Sequence, residues 1–188
     1  MILPRLKAET QAAHDRVEAL MHVMDTPLSR THYVQTLRQL HRLYVPLEAQ
    51  LAAQKLPEVF AFAERRKTDR LVLDLSVLGG VPGPATTGPL PTLLTPAHAL
   101  GALYVLEGAT LGGQLITRHV HRQLGLTALS GAAFFSGYGP DTGRMWRQFT
   151  EALTRYAQDT GQDEAIVEGA RRTFAAFEAA LQEGALYA

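Results

Sequence analysis

From Leu3 to Glu183, apolar residues recur at the three- and four-residue intervals of a helix surface, and strand signals are scarce. This period constrains the fold more than any other feature. Each segment offers one apolar stripe, which must be buried against other helices, so the expected class is all-α. One predicted helix runs from Leu3 to Val23 and stops before Asp25-Thr26-Pro27. A second opens at Ser29, a capping residue, and reaches Gln54; Pro46 is expected to bend or split it. Pro57 to Leu78 holds one or two more. Thr95-Pro96 reads as an N-cap followed by proline at the first helical position, and Gly125 stops that helix after Leu124. Two helices follow, Pro140–Gln158 and Gln162–Glu183. The Gly/Pro-rich run Gly79–Pro91 and the stretch Gly125–Pro140 read as loops. The expectation is about seven helices in one domain over residues 1–188.

Lys+Arg and Asp+Glu number 18 each, so the formal charge is zero. That balance gives no support for nucleic acid or an anionic membrane as the main partner. The basic runs Arg65-Arg66-Lys67 and Arg171-Arg172 are expected to be solvated helix faces. There is no cysteine, which removes disulfides, Fe–S clusters, thiolate metal ligation and thiol nucleophiles together. MILPRLKAETQAAHDR becomes charged at once, and no stretch approaches the ~20 apolar residues of a membrane span. A cytoplasmic protein is the expectation.

Two constellations carry chemistry. In KAETQAAHDRVE, Lys7 and His14 are two turns apart, and Glu18 is four residues beyond His14 on nearly the same stripe. A His–Glu pair at this spacing is commonly a plain surface pair. It also suits a metal-ligating histidine, which usually donates its other ring N–H to a carboxylate or carbonyl. No HxxxH or HExxH pattern occurs to suggest a zinc hydrolase. The second constellation is GATLGG, inside the helix opened by Pro96. Each helical glycine costs about 1 kcal/mol relative to alanine, so Gly108, Gly112 and Gly113 cost roughly 3 kcal/mol together, and Gly101 adds to that. Two compensations are open: close packing of helices, or close approach of a flat ligand to bare backbone. A planar metal cofactor held between the two helices would use both constellations.

LKAETQAAHDRVE resembles the proximal-helix segment of the haem oxygenase family, and LEGATLGGQLI resembles its distal-helix glycine motif. The resemblance extends along nearly the whole chain. YVLEGATLGG looks most like the bacterial branch associated with bacteriophytochromes. The family resemblance implies His14 as axial iron ligand, Glu18 as its support and Lys7 near a haem propionate. It also implies that Gly108, Gly112 and Gly113 line the distal, catalytic face of a haem lying between the proximal helix and a kinked distal helix. Tyr104, one turn before Gly108, is expected at the propionate edge. Arg144 is the first choice over Arg147 for a second propionate cation.

Many members of the family carry an aspartate directly after the first distal glycine, where this chain has Ala109. Proton delivery is then expected to use water on freed backbone groups, or Glu107, Thr110 or Gln114. The resulting reading is a haem oxygenase, with haem as both substrate and cofactor. Its neutral imidazole ligand gives the iron no thiolate push. O₂ and electrons from a ferredoxin or reductase convert haem to biliverdin, CO and ferrous iron, and a bacteriophytochrome is the expected acceptor of biliverdin. Ala109 motivates one alternative, a non-enzymatic haem carrier or sensor on the same fold. A thiaminase-like enzyme would need the missing cysteine, and a helical interaction module would need no ligand.

Overall fold

The computed structural model describes residues 1–83 and 90–185. Part of the expected loop Gly79–Pro91 therefore lies outside the described residues. The helices are α1 (Ile2–Met21), α2 (Arg30–Ala53), α3 (Phe62–Arg65), α4 (Thr68–Val77), α5 (Pro96–Leu124), α6 (Ala133–Ser136), α7 (Thr142–Thr160) and α8 (Asp163–Ala185). Six have ten residues or more; α3 and α6 are single turns. Short 3-10 turns occupy Glu58–Phe60 and Gly139–Asp141, and no strand occurs among the described residues.

The local signals act where the sequence places them. Ser29 Oγ accepts the His32 amide at 3.0 Å. Thr95 Oγ1 accepts the His98 amide at 3.3 Å, with Pro96 at the first helical position. Gly125 ends α5 with φ 68°, and Gly161 ends α7 with φ 64°, backbone that glycine adopts without penalty. Pro46 does not split α2, which is continuous from Arg30 to Ala53.

Two expectations are corrected. Gly125–Pro140 is not simply a loop, because it contains α6. The buried Asp74 carboxylate of α4 accepts the Ala133 and Phe134 amides, both at 2.8 Å, and so caps that single turn. In the run Arg65-Arg66-Lys67 only Arg66 is solvated. Arg65 is 3% and Lys67 1% exposed, and both converge on the fully buried Glu107 of α5. Arg171 and Arg172 do behave as expected. They are solvated and pair with Glu164 and Glu168 within α8, and Arg171 also pairs with Glu9 of α1.

Helix α5 is the axis of the fold and packs most extensively on α8, which also carries α1. The α5–α8 crossing is glycine on backbone from both sides. A Cβ on Gly101 would stand 1.9 Å from the Ile166 carbonyl oxygen, and one on Gly169 would stand 2.0 Å from that of His98. Gly101 is therefore required by helix packing, which offsets its helix-propensity cost. By length and composition α5 could cross a membrane, but more than half of its apolar stretch is buried, so it is a core helix.

Candidate active site

Helices α1 and α5 face each other across a cleft of about 390 Å³. From α1, Lys7, His14, Glu18 and Met21 line it at intervals of seven, four and three, as one helix stripe should. From α5, Tyr104, Gly108 and Gly112 line it at intervals of four. The remaining wall is largely aromatic: Tyr44 of α2, Phe135 of α6, Trp146 of α7 and Phe174 of α8. The structure thus brings together two sets of residues about 90 positions apart in sequence.

His14 stands edge-on to Phe174, with ring centroids 6.0 Å apart, and its side chain is 45% exposed. Nε2 lies 3.5 Å from Glu18 Oε1, and Nδ1 lies 3.5 Å from Asp15 Oδ1. Neither approach is a hydrogen bond, and Nδ1 is buried with no partner. Glu18 is beside the ring as expected, but the direct bond is not formed. A buried ring nitrogen without a partner is a cost the fold has not resolved with its own groups.

The glycines divide into two kinds. A Cβ on Gly108 would meet only Trp146, at 3.9 Å, and one on Gly112 only Glu18 Oε1, also at 3.9 Å. Both are ordinary contacts, so no protein atom requires glycine at either position. Gly113 is different, and its assignment to the distal face is corrected. It does not line the cleft; a Cβ there would stand 2.5 Å from the Phe135 carbonyl oxygen. Gly113 lies about 100° round the helix from Gly112 and lets α6 dock.

The sequence model of the Heme oxygenase family matches residues 2–183. The chain belongs to the haem oxygenase family. The Heme oxygenase of Xanthomonas campestris pv. campestris (strain 8004) is 32% identical over 150 residues, covering 79% of this chain and 88% of that relative. The NO- and CO-bound heme oxygenase from Neisseria meningitidis superposes with TM-score 0.83 at 26% identity, covering 96% of this chain and 90% of that one. The heme oxygenase from Leptospira interrogans gives TM-score 0.78 at 20% identity, over 97% and 100% of the two chains, a likeness of fold. This chain is accordingly a haem-degrading enzyme that takes haem and O₂ as substrates.

The residues present fit a haem. The cleft has an apolar, aromatic wall, a cradle at Gly108 and Gly112 that a Cβ would fill, and an imidazole with an unsatisfied nitrogen. Lys7 at the rim makes no ion pair among the described residues. Burial pushes the Tyr104 phenol upward, so it stays protonated and can donate. Arg144 does not fit the role expected of it. It lies outside the cleft, exposed, and donates to Asp141 Oδ1 at 3.0 Å and Gln148 Oε1 at 3.3 Å.

The three side chains expected to replace the aspartate also lie outside the cleft lining. Glu107 Oε1 accepts from Lys67 Nζ at 2.6 Å and from Tyr138 Oη at 2.7 Å, and its Oε2 accepts from Arg65. Thr110 donates to the Glu107 carbonyl at 2.6 Å, and Gln114 to that of Gly139 at 3.4 Å. Sequence reasoning missed Tyr44, whose hydroxyl has no hydrogen-bond partner among the described residues although the ring is buried in the cleft wall. Its position in the apolar stripe of α2 marked it only as core.

Proposed function

We propose that the α1–α5 cleft holds the haem that this enzyme opens, and that His14 would ligate its iron. The observation that carries this is that no protein atom requires glycine at Gly108 and Gly112, which line the cleft together with the His14 stripe. Bound haem supplies the iron that activates O₂ and the macrocycle that is cleaved. Every other part is the chain's own. His14 binds in its neutral form through one nitrogen, while the other takes up a partner among Glu18, Asp15 and water; this fixes the ring and resolves the orphaned Nδ1. Lys7 would hold one propionate carboxylate, and Tyr104 would donate at the propionate edge.

With Ala109 in place of an acid and Glu107, Thr110 and Gln114 bonded elsewhere, water carries the protons. The Tyr44 hydroxyl and the bare backbone at Gly108 and Gly112 hold that water. Phe135, Trp146 and Phe174 exclude the rest of the solvent and keep each remaining hydrogen bond strong. Electrons come from an external donor such as a ferredoxin or reductase, and a bacteriophytochrome takes up the biliverdin in the cytoplasm.

The test adds haemin to the pure protein and to H14A, then a reductant in air with catalase, and follows the visible spectrum. Wild type gives a sharp Soret band that decays into a broad red biliverdin band. H14A loses the axial-histidine spectrum and the turnover. Turnover of H14A at the wild-type rate would move the ligand elsewhere, and a wild-type Soret band that persists under reductant and O₂ would favour the carrier.

A further inference from the structure

The buried charge cluster beneath α5 joins the two groups that face each other at one end of the cleft. Arg65 Nε donates to the Phe60 carbonyl at 2.7 Å. Its Nη1 donates both to Glu107 and to the Met145 carbonyl, the latter at 3.3 Å. The guanidinium carbon stands 5.6 Å over the Phe149 ring. Glu107 immediately precedes Gly108. Met145 immediately precedes Trp146, and the Phe149 ring packs on Trp146 with centroids 6.0 Å apart. One side chain therefore grips the chain neighbours of Gly108 on α5 and those of Trp146 on α7. Trp146 lies 3.9 Å from where a Gly108 Cβ would stand.

Glu107 is fixed in turn, since Lys67 and Tyr138 saturate its other oxygen. Burying two cations on one carboxylate is a poor route to stability, because desolvation offsets the attraction. A single definite geometry is the gain such a cluster can offer. Lysine could not replace the arginine here, since only the rigid planar fork reaches three separated acceptors at once.

We infer that Arg65 is a positioning residue: through Glu107 and the Met145 carbonyl it sets the gap between Gly108 and Trp146, and with it the width of the cleft at that end. The inference rests on the proposed haem site for one of its two readouts. The other needs no haem, because Trp146 is the sole tryptophan of the chain and its emission reports this gap.

The experiment compares wild type, R65K and Y138F by far-UV circular dichroism, haem-free tryptophan emission with acrylamide quenching, and haemin titration. R65K keeps a cation for Glu107 but loses the paired carbonyl contacts. It folds, its Trp146 emission shifts red and quenches more readily, and haemin binds on the order of tenfold more weakly. Y138F removes one donor to Glu107 and no contact of Arg65; it lowers the melting temperature and leaves Trp146 as in wild type. The inference is overturned if R65K only loses stability while Trp146 emission and haemin affinity stay at wild type, or if Y138F shifts Trp146 as far as R65K does. Should R65K not fold, E107D takes its place. It retracts the carboxylate by one methylene and draws Arg65 off Met145, and an unchanged Trp146 there overturns the inference equally. If wild type binds no haemin, the haem site falls, and the haem-free emission still decides the role of Arg65.

Discussion

Gly101 and the pair Gly108/Gly112 lie on one stripe of one helix, yet they are glycine for opposite reasons. Gly101 is seven residues from Gly108, nearly two whole turns, so all three point the same way. At Gly101 that direction is filled by the backbone of α8, 1.9 Å from where a Cβ would be. At Gly108 and Gly112 the same direction opens on the cleft, with one side chain at 3.9 Å in each case. The first glycine is explained by the protein. The other two are not, and the proposed haem is what accounts for them. The helix that anchors the core at its start thus becomes the wall of the cleft two turns later, and removal of side chains serves both ends.

The contrast can be broken most severely at its packed end. G101A drives a methyl group into the Ile166 carbonyl and the Ala170 amide, neither of which can turn aside. The expected loss is about 3 kcal/mol or more, read by urea denaturation. A loss under about 1 kcal/mol would mean that α5 and α8 are not held by that crossing. G113A presses on the Phe135 carbonyl at 2.5 Å and should cost about 1–3 kcal/mol, with Phe135 displaced from the cleft wall.

At the open end the sign reverses. G112A removes a helical glycine without a clash, so the haem-free protein should gain up to about 1 kcal/mol. The same methyl group intrudes on the haem face, and overpacking of about 1–3 kcal/mol corresponds to roughly 5- to 150-fold weaker haemin binding. A gain in stability with unchanged affinity would show that Gly112 clears space for nothing.

The smallest effect concerns the seat of Gly113's neighbour. Burial raises the Asp74 carboxyl, against the pull of the Phe134 and Ala133 amides it accepts from. With its folded value above the unfolded one, the folded state holds this proton more tightly. The group's contribution is complete below the unfolded value, about 4, and is lost as pH rises through the folded value. The stability advantage of wild type over D74N should therefore shrink with rising pH across that window, measured by denaturation at a series of pH values. A difference that grows with pH would give the opposite sign to the shift.

What could be read beforehand follows from range. Caps and stops act within one turn, so Ser29, Thr95 and Gly125 were legible, as was the shared stripe of Lys7, His14 and Glu18. The basic run at Arg65 was misread because its partner Glu107 lies 42 residues away, and α6 because its capping carboxylate lies 59 residues away. A local pattern shows a charge but not the carboxylate that buries it. Gly113 could have been separated from Gly112 on the helical wheel, since adjacent residues stand about 100° apart. That step required knowing which face met the cleft. Arg144 had the right charge and the wrong face. Tyr44 shares the buried stripe of α2 with Leu40, Leu43 and Leu47, which does not distinguish it from the core.

The most direct measurement takes the G108A/G112A double variant beside wild type and records both thermal stability without haem and the visible spectrum on haemin titration. The account predicts a variant that melts higher than wild type and binds haemin poorly, with a weak Soret band and no decay to biliverdin under reductant and air. A double variant that binds and degrades haem as wild type does would contradict it, and the open glycines of α5 would then need another explanation.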